Sequence, residues 1–253
     1  MAFIKKELKA IFRTYRFWVI PLVFLLFALM SPPTAKLTPQ LLESVMPKGM
    51  GLKVPEPQLT DAFAQWFKNL SQIGILGVIL LTMGIVAEEK TSHTIVLIVT
   101  KPVSRAAVVL AKFLAQAFWM LVSFFMAAAV CYGYAIIVFK PARAAEFAWA
   151  NALFGLYILL VVAITIFFST IMNNQVAAGG LSLVVVMSLS LAASLSKVFD
   201  KYAPTGLTTI GMKAALGNSG LAAAQAAWPA VTSFMLICVL LAGAIYVFNK
   251  QEL

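Results

Sequence analysis

The sequence predicts an all-α integral membrane protein, a single domain over residues 1–253. It would have six transmembrane helices, an N-terminal interfacial helix and a short cytoplasmic helix between spans two and three. Three observations lead there. First, 62% of the 253 residues are hydrophobic and 11% charged, with a mean hydropathy of +0.96. A soluble fold of this length has too little interior to hide that much apolar surface, so its main solvent is lipid. Second, Lys and Arg divide the chain into uncharged windows of about 20 residues or more, the length a helix needs to cross a bilayer. Third, the basic residues are denser in one alternating set of connecting segments than in the other.

The elements follow in chain order. At about 100° per residue, Ile4, Leu8, Ile11, Phe12 and Tyr15 fall on one side of a helical wheel, with Lys5, Lys6, Lys9, Arg13 and Arg16 on the other. That pattern suits a helix lying along the inner leaflet; a basic flank that only sets topology is the simpler alternative. Span one is placed at about 17–35, since Phe17–Met30 holds no polar side chain. Residues 31–68 contain six of the eleven prolines, so an external, punctuated loop is expected. Within it Thr38-Pro39 can cap a short helix over Gln40–Met46. Thr60-Asp61 can cap another that turns Phe63, Trp66 and Phe67 to the outer interface as an aromatic belt. Spans two and three are placed at 69–87 and 113–139, the latter long enough to tilt.

Phe147–Ser196 is uncharged and too long for one crossing, and its polar knot Asn173-Asn174-Gln175 marks a turn between spans at 147–172 and 176–196. In 197–227, Gly206, Gly211, Gly217 and Gly220 break the chain into pieces too short to cross. Re-entrant helices and an ordinary external loop both fit that composition. Span six is placed at 228–248. With an even count both termini share a side. If that side is the cytoplasm, the inner segments carry 10 Lys/Arg in 48 residues and the outer ones 9 in 76. The positive-inside rule therefore puts both termini in the cytoplasm, in a multi-pass protein of the cell (inner, cytoplasmic) membrane.

Composition and motifs exclude several chemistries. The net charge of +10 is read as topology and contact with anionic lipid heads, not nucleic acid. There is no G-x-x-x-x-G-K-[ST], G-x-S-x-G or H-E-x-x-H, so no catalytic residue and no P-loop is assigned. Glu88-Glu89 resemble the paired glutamates of intramembrane metalloproteases, but those need several histidines and His93 is the single one here, so no metal site is assigned. Cys131 and Cys238 are read as buried thiols within apolar spans. None of the six spans as placed contains an ionisable Asp, Glu, His, Lys or Arg, which argues against proton- or ion-coupled transport.

The segment Glu88–Lys112 stands apart. Thr91 or Ser92 can cap a helix starting near His93, and the acidic pair before it suits that helix's N-terminal dipole. Thr94 to Thr100 make about two turns before Pro102 stops the helix. Ser104 can cap the next helix, which continues through Lys112 into span three. Apolar surface on a short cytoplasmic helix calls for a protein partner.

The stretch E-E-K-T-S-H-T-I-V-L-I-V-T-K-P-V-S-R-A-A-V-V-L-A-K-F resembles the loop between spans two and three in ABC transporter permeases of the type-2 exporter class. The match rests on Glu89, Thr94, Leu97, Ile98, Thr100, Lys101, Pro102, Val103, Ser104, Arg105 and Lys112; His93 stands where glycine is common and Ile95 where glutamate often sits. The resemblance implies that Glu88, Glu89, His93, Thr94, Ile95, Leu97, Ile98, Pro102, Ser104 and Arg105 couple the chain to separate ABC ATPase subunits. It implies no cofactor in this chain, with ATP and Mg bound by those subunits, and a second permease copy or homologue completing the path for export. A secondary transporter working without an ATPase, and a membrane scaffold or assembly protein, are the alternative readings. The residues that would bind a transported substrate are not legible.

Overall fold

The computed structural model describes residues 2–45, 56–92, 104–139, 143–195, 201–217 and 219–251. Among these residues the regular structure is entirely helical. The helices are α1 (Ala2–Arg13), α2 (Arg16–Val45), α3 (Leu59–Asn69), α4 (Ile75–Thr82), α5 (Gly84–Thr91), α6 (Arg105–Phe139), α7 (Ala144–Ile171), α8 (Gln175–Leu195), α9 (Gly206–Ala215) and α10 (Ser219–Lys250). Six runs are long and apolar enough to cross a membrane: Arg16–Gln40, Leu59–Thr91, Arg105–Phe139, Ala144–Ile171, Gln175–Leu195 and Gln225–Lys250. All six begin before the start the sequence predicts, and the second also runs past its predicted end. Ionisable residues such as Glu88, Glu89, Lys90, Arg105 and Lys112 ride on the ends of these helices, outside the spans as placed from the sequence.

The first span also continues further than expected. α2 runs unbroken through Pro21, Pro32, Pro33 and Pro39, so Thr38 does not start a new helix. Proline removes a backbone donor, and hydroxyls can re-satisfy a helix so interrupted. Ser31 Oγ donates to the Phe27 carbonyl at 2.7 Å and Thr38 Oγ1 to Thr34 at 2.6 Å, while Thr34 donates to Met30. One stripe of α2, Ile20, Phe24, Phe27, Ala28, Ser31 and Ala35, is buried, and Trp18, Leu22, Leu26, Leu29 and Met30 are exposed. Apolar residues on both faces suit a helix with protein on one side and lipid on the other.

Span two comprises α3, one π-helical turn over Leu70–Gly74, α4 and α5. Gln58 caps α3: its backbone N–H donates to Asp61 Oδ2 at 2.7 Å. Phe63, Trp66 and Phe67 do not form an outer belt; all three are buried. Trp66 Nε1 donates to Asn151 Oδ1 at 3.0 Å, and Asn151 Nδ2 donates to the Phe147 carbonyl at 2.8 Å. With the indole N–H satisfied, the ring can sit in the core. Phe63 lies 4.3 Å from Phe147 between ring centroids, and Phe67 5.9 Å from Phe154.

α7 is the core helix. Its most apolar stretch is 72% buried, against 22% for α8, and it packs against α10, α9, α8, α6, α4 and α5. The turn predicted at Asn173 is present: Met172 is extended and Asn174 Oδ1 accepts the Val176 N–H at 2.8 Å, starting α8. Beyond α8, Gly206 begins α9 and Gly217, at φ 99°, ends it. Gly211 does not break the helix; it lets α9 lie against α7, where a Cβ would meet the Ala150 carbonyl oxygen at 3.1 Å. Gly220 likewise falls inside α10. The cysteines divide: Cys131 is buried as expected, but Cys238 is exposed on α10.

Candidate functional site

The ends of several helices meet around the chain termini, and the last turn of α5 is their meeting point. Acidic side chains near a helix C-terminus oppose the helix dipole, so Glu88 and Glu89 need cations. Each has one. Arg16 Nη2 lies 3.1 Å from Glu88 Oε2, and Lys112 Nζ lies 2.5 Å from Glu89 Oε1. Lys112 also approaches Glu7 Oε2 at 3.5 Å and donates to the Ile85 carbonyl at 3.3 Å. Only 3% of Lys112 is exposed, so it is an internal charge. Burial on this scale requires compensation by opposite charge and hydrogen bonds, which Glu89, Glu7 and Ile85 supply.

A second set of contacts runs to the other side. Lys90, also buried, donates to the Thr170 carbonyl at the end of α7. Gln251 Nε2 donates to that same oxygen at 3.1 Å. Arg105 Nη1 donates to the carbonyls of Phe248, Asn249 and Gln251 at 2.9, 3.1 and 2.8 Å. The last carbonyls of a helix lack intrahelical partners and carry the negative end of its dipole, so cations belong there. Ser104 starts α6 as expected, its Oγ accepting the Ala107 N–H at 3.3 Å. Thr91 and Ser92 close α5, their hydroxyls donating to the Glu88 carbonyl at 3.0 and 2.8 Å. Glu88-Glu89 thus sit in the last turn of α5.

Span two breaks at Met83, and Ser169 of α7 repairs the break. Its Oγ accepts the N–H groups of Val86 and Ala87 at 3.1 and 3.0 Å and donates to the Met83 carbonyl at 2.7 Å. Three buried backbone groups thus depend on one hydroxyl. Ser169→Ala is expected to cost about 1–3 kcal/mol, the penalty for stranding buried polar groups. Hydrogen exchange at Val86 and Ala87 should rise at least tenfold while exchange in α6 stays unchanged.

Of the residues singled out in the sequence, Glu88, Glu89, Ser104, Arg105 and Arg16 meet here. Lys5, Lys6, Lys9 and Arg13 stay on the exposed side of α1. His93, Thr94, Ile95, Leu97, Ile98 and Pro102 lie outside the described residues, as does the short helix expected there. Glu7, Lys90, Ser169, Thr170 and Gln251 went unnoticed in the sequence. Glu7 did leave a signal: three residues after Ile4 and four before Ile11, it is the one acid on the apolar side of α1.

Six membrane-length helices, five of them tied together at one end by ion pairs and capped carbonyls, define a multi-pass, all-helical membrane protein. The chain belongs to the ABC-2 family transporter proteins, whose family model matches residues 1–253. That family is a membrane component of ABC transporters. An uncharacterized transmembrane protein of Bacillus subtilis (strain 168), YxlG, is 24% identical over 254 residues, covering 100% of this chain and 98% of the relative.

Proposed function

We propose that the chain is the membrane-spanning subunit of an ATP-driven exporter, coupled to separate ATPase subunits through residues 92–100. The observation that carries this reading is the double anchorage of that segment. It leaves α5 where Glu88, Glu89 and Lys90 are each tied to a different helix, and it enters α6 where Arg105 holds the end of α10. A push on residues 93–103 therefore reaches α2, α6, α7 and α10 directly, and α1 through Lys112. On this reading both termini are cytoplasmic, α1 lies along the inner leaflet, and α9 is a re-entrant helix on the outer side. ATP and Mg belong to the ATPase subunits. A second permease, identical or homologous, completes the path, and the exposed apolar residues of α8, such as Val184, Met187 and Leu191, are available to meet it.

The test is co-purification of the ATPase with Leu97→Glu and Ile98→Glu variants. A carboxylate driven into an apolar contact costs well over 1.4 kcal/mol, so ATPase recovery should fall by about tenfold or more with each change. Recovery and transport-stimulated ATP hydrolysis at normal levels in both variants would refute coupling through this segment.

A further inference from the structure

A cavity of about 370 Å³ opens between α1, the start of α2, the last turn of α5 and the inner part of α6. Its charged lining is mixed: Glu7, Glu88 and Glu89 against Arg16 and Lys112. At its wall stands Gln116, 1% exposed, whose amide Nε2 is buried with no hydrogen-bond partner. A buried donor of this kind calls for an acceptor. On another wall Glu88 gives one carboxylate oxygen to Arg16, and its side chain is 59% exposed, leaving it open to a further donor. Just beyond Arg16, Trp18 and Leu22 are 74% and 64% exposed on α2, an apolar track leading away from the cavity.

We propose that this cavity binds the headgroup of a phospholipid carrying a primary amine, with the ammonium at Glu88, the phosphate at Gln116 and Arg16, and the acyl chains along α2. The charge pattern selects that chemistry. Carboxylates outnumber cations in the lining, which disfavours a purely anionic headgroup, while the unpaired amide asks for an acceptor oxygen that a bare amine lacks. A quaternary ammonium has no N–H to give Glu88. The site needs neither an ATPase nor a transport cycle, so its failure would leave the proposed function standing.

Native mass spectrometry of the purified full chain, delipidated and offered dioleoyl phosphatidylethanolamine, phosphatidylcholine and phosphatidylglycerol in equal amounts, tests the assignment. Phosphatidylethanolamine should be retained about fivefold or more over the other two, the preference a few hydrogen bonds confer. Gln116→Leu should lower its retention by a similar factor, and Glu88→Gln, at an exposed position that leaves packing intact, should erase the preference over phosphatidylcholine. Equal retention of the three lipids, a preference for phosphatidylglycerol, or unchanged behaviour in either variant would overturn the proposal. Displacement of the lipid by millimolar O-phosphoethanolamine would overturn the lipid assignment in favour of a soluble aminophosphate.

Discussion

Lys112→Met is expected to cost about 3–5 kcal/mol of stability, because it removes one partner from a buried charge cluster and leaves the other behind. Lys112 is the shared partner of Glu89 and Glu7, at 2.5 and 3.5 Å. Methionine fills nearly the same volume, so the loss is electrostatic and not one of packing. At about 2–4 °C per kcal/mol for a chain of this size, thermal unfolding in detergent should shift down by about 6 °C or more. The double variant Lys112→Met with Glu89→Gln should recover most of that loss, since neutralising both partners removes the stranded charge. Glu7 keeps Lys6 at 3.3 Å in either case. An unchanged melting temperature in the single variant would show that water, and not Lys112, satisfies Glu89.

Arg105→Ala is the second large expectation. One guanidinium nitrogen serves three carbonyls at the end of α10, and charge-assisted hydrogen bonds are worth about 1.5–3 kcal/mol each when made to charged groups. Losing them should fray the final turn, with hydrogen exchange at Phe248 to Lys250 rising at least tenfold. If the proposed coupling holds, ATP hydrolysis by the partner ATPase should fall several-fold, with its binding preserved. Arg105→Lys should rescue much of the loss, because the contacts come from one nitrogen and an ammonium there keeps three N–H donors and the charge. If the exchange is unchanged in Arg105→Ala, the end of α10 is held by its own packing.

The number and order of the spans were legible because charge segregates sharply along this chain. Asn173-Asn174-Gln175 interrupts the longest uncharged run and is the turn it appeared to be. The inner face of α3 was not legible, since the partners of its aromatics lie on α7: Asn151, 85 positions away, accepts the Trp66 indole N–H, and Phe147 and Phe154 pack against Phe63 and Phe67. The continuity of α2 was hidden for a related reason. Its prolines read as punctuation, and the hydroxyls of Ser31, Thr34 and Thr38 that offset them became visible only as i−4 donors within a helix. In the candidate site, Glu88, Glu89, Ser104 and Arg105 could be picked out from the loop between spans two and three. Lys90 and Ser169 could not, because their partners come from other helices far away in sequence, while Glu7 showed only as an acid on the apolar side of α1.

Three consecutive residues of α5 reach three different helices: Glu88 to α2, Glu89 to α6 and Lys90 to α7. Successive helical positions are about 100° apart, so these side chains radiate around the axis like the spokes of a hub. Such a hub resists torque as well as displacement, because a twist of α5 in either direction stretches at least one spoke. With the backbone ladder already interrupted at Met83, a torsional load arriving at the end of α5 passes outward through its spokes before it climbs the axis of span two.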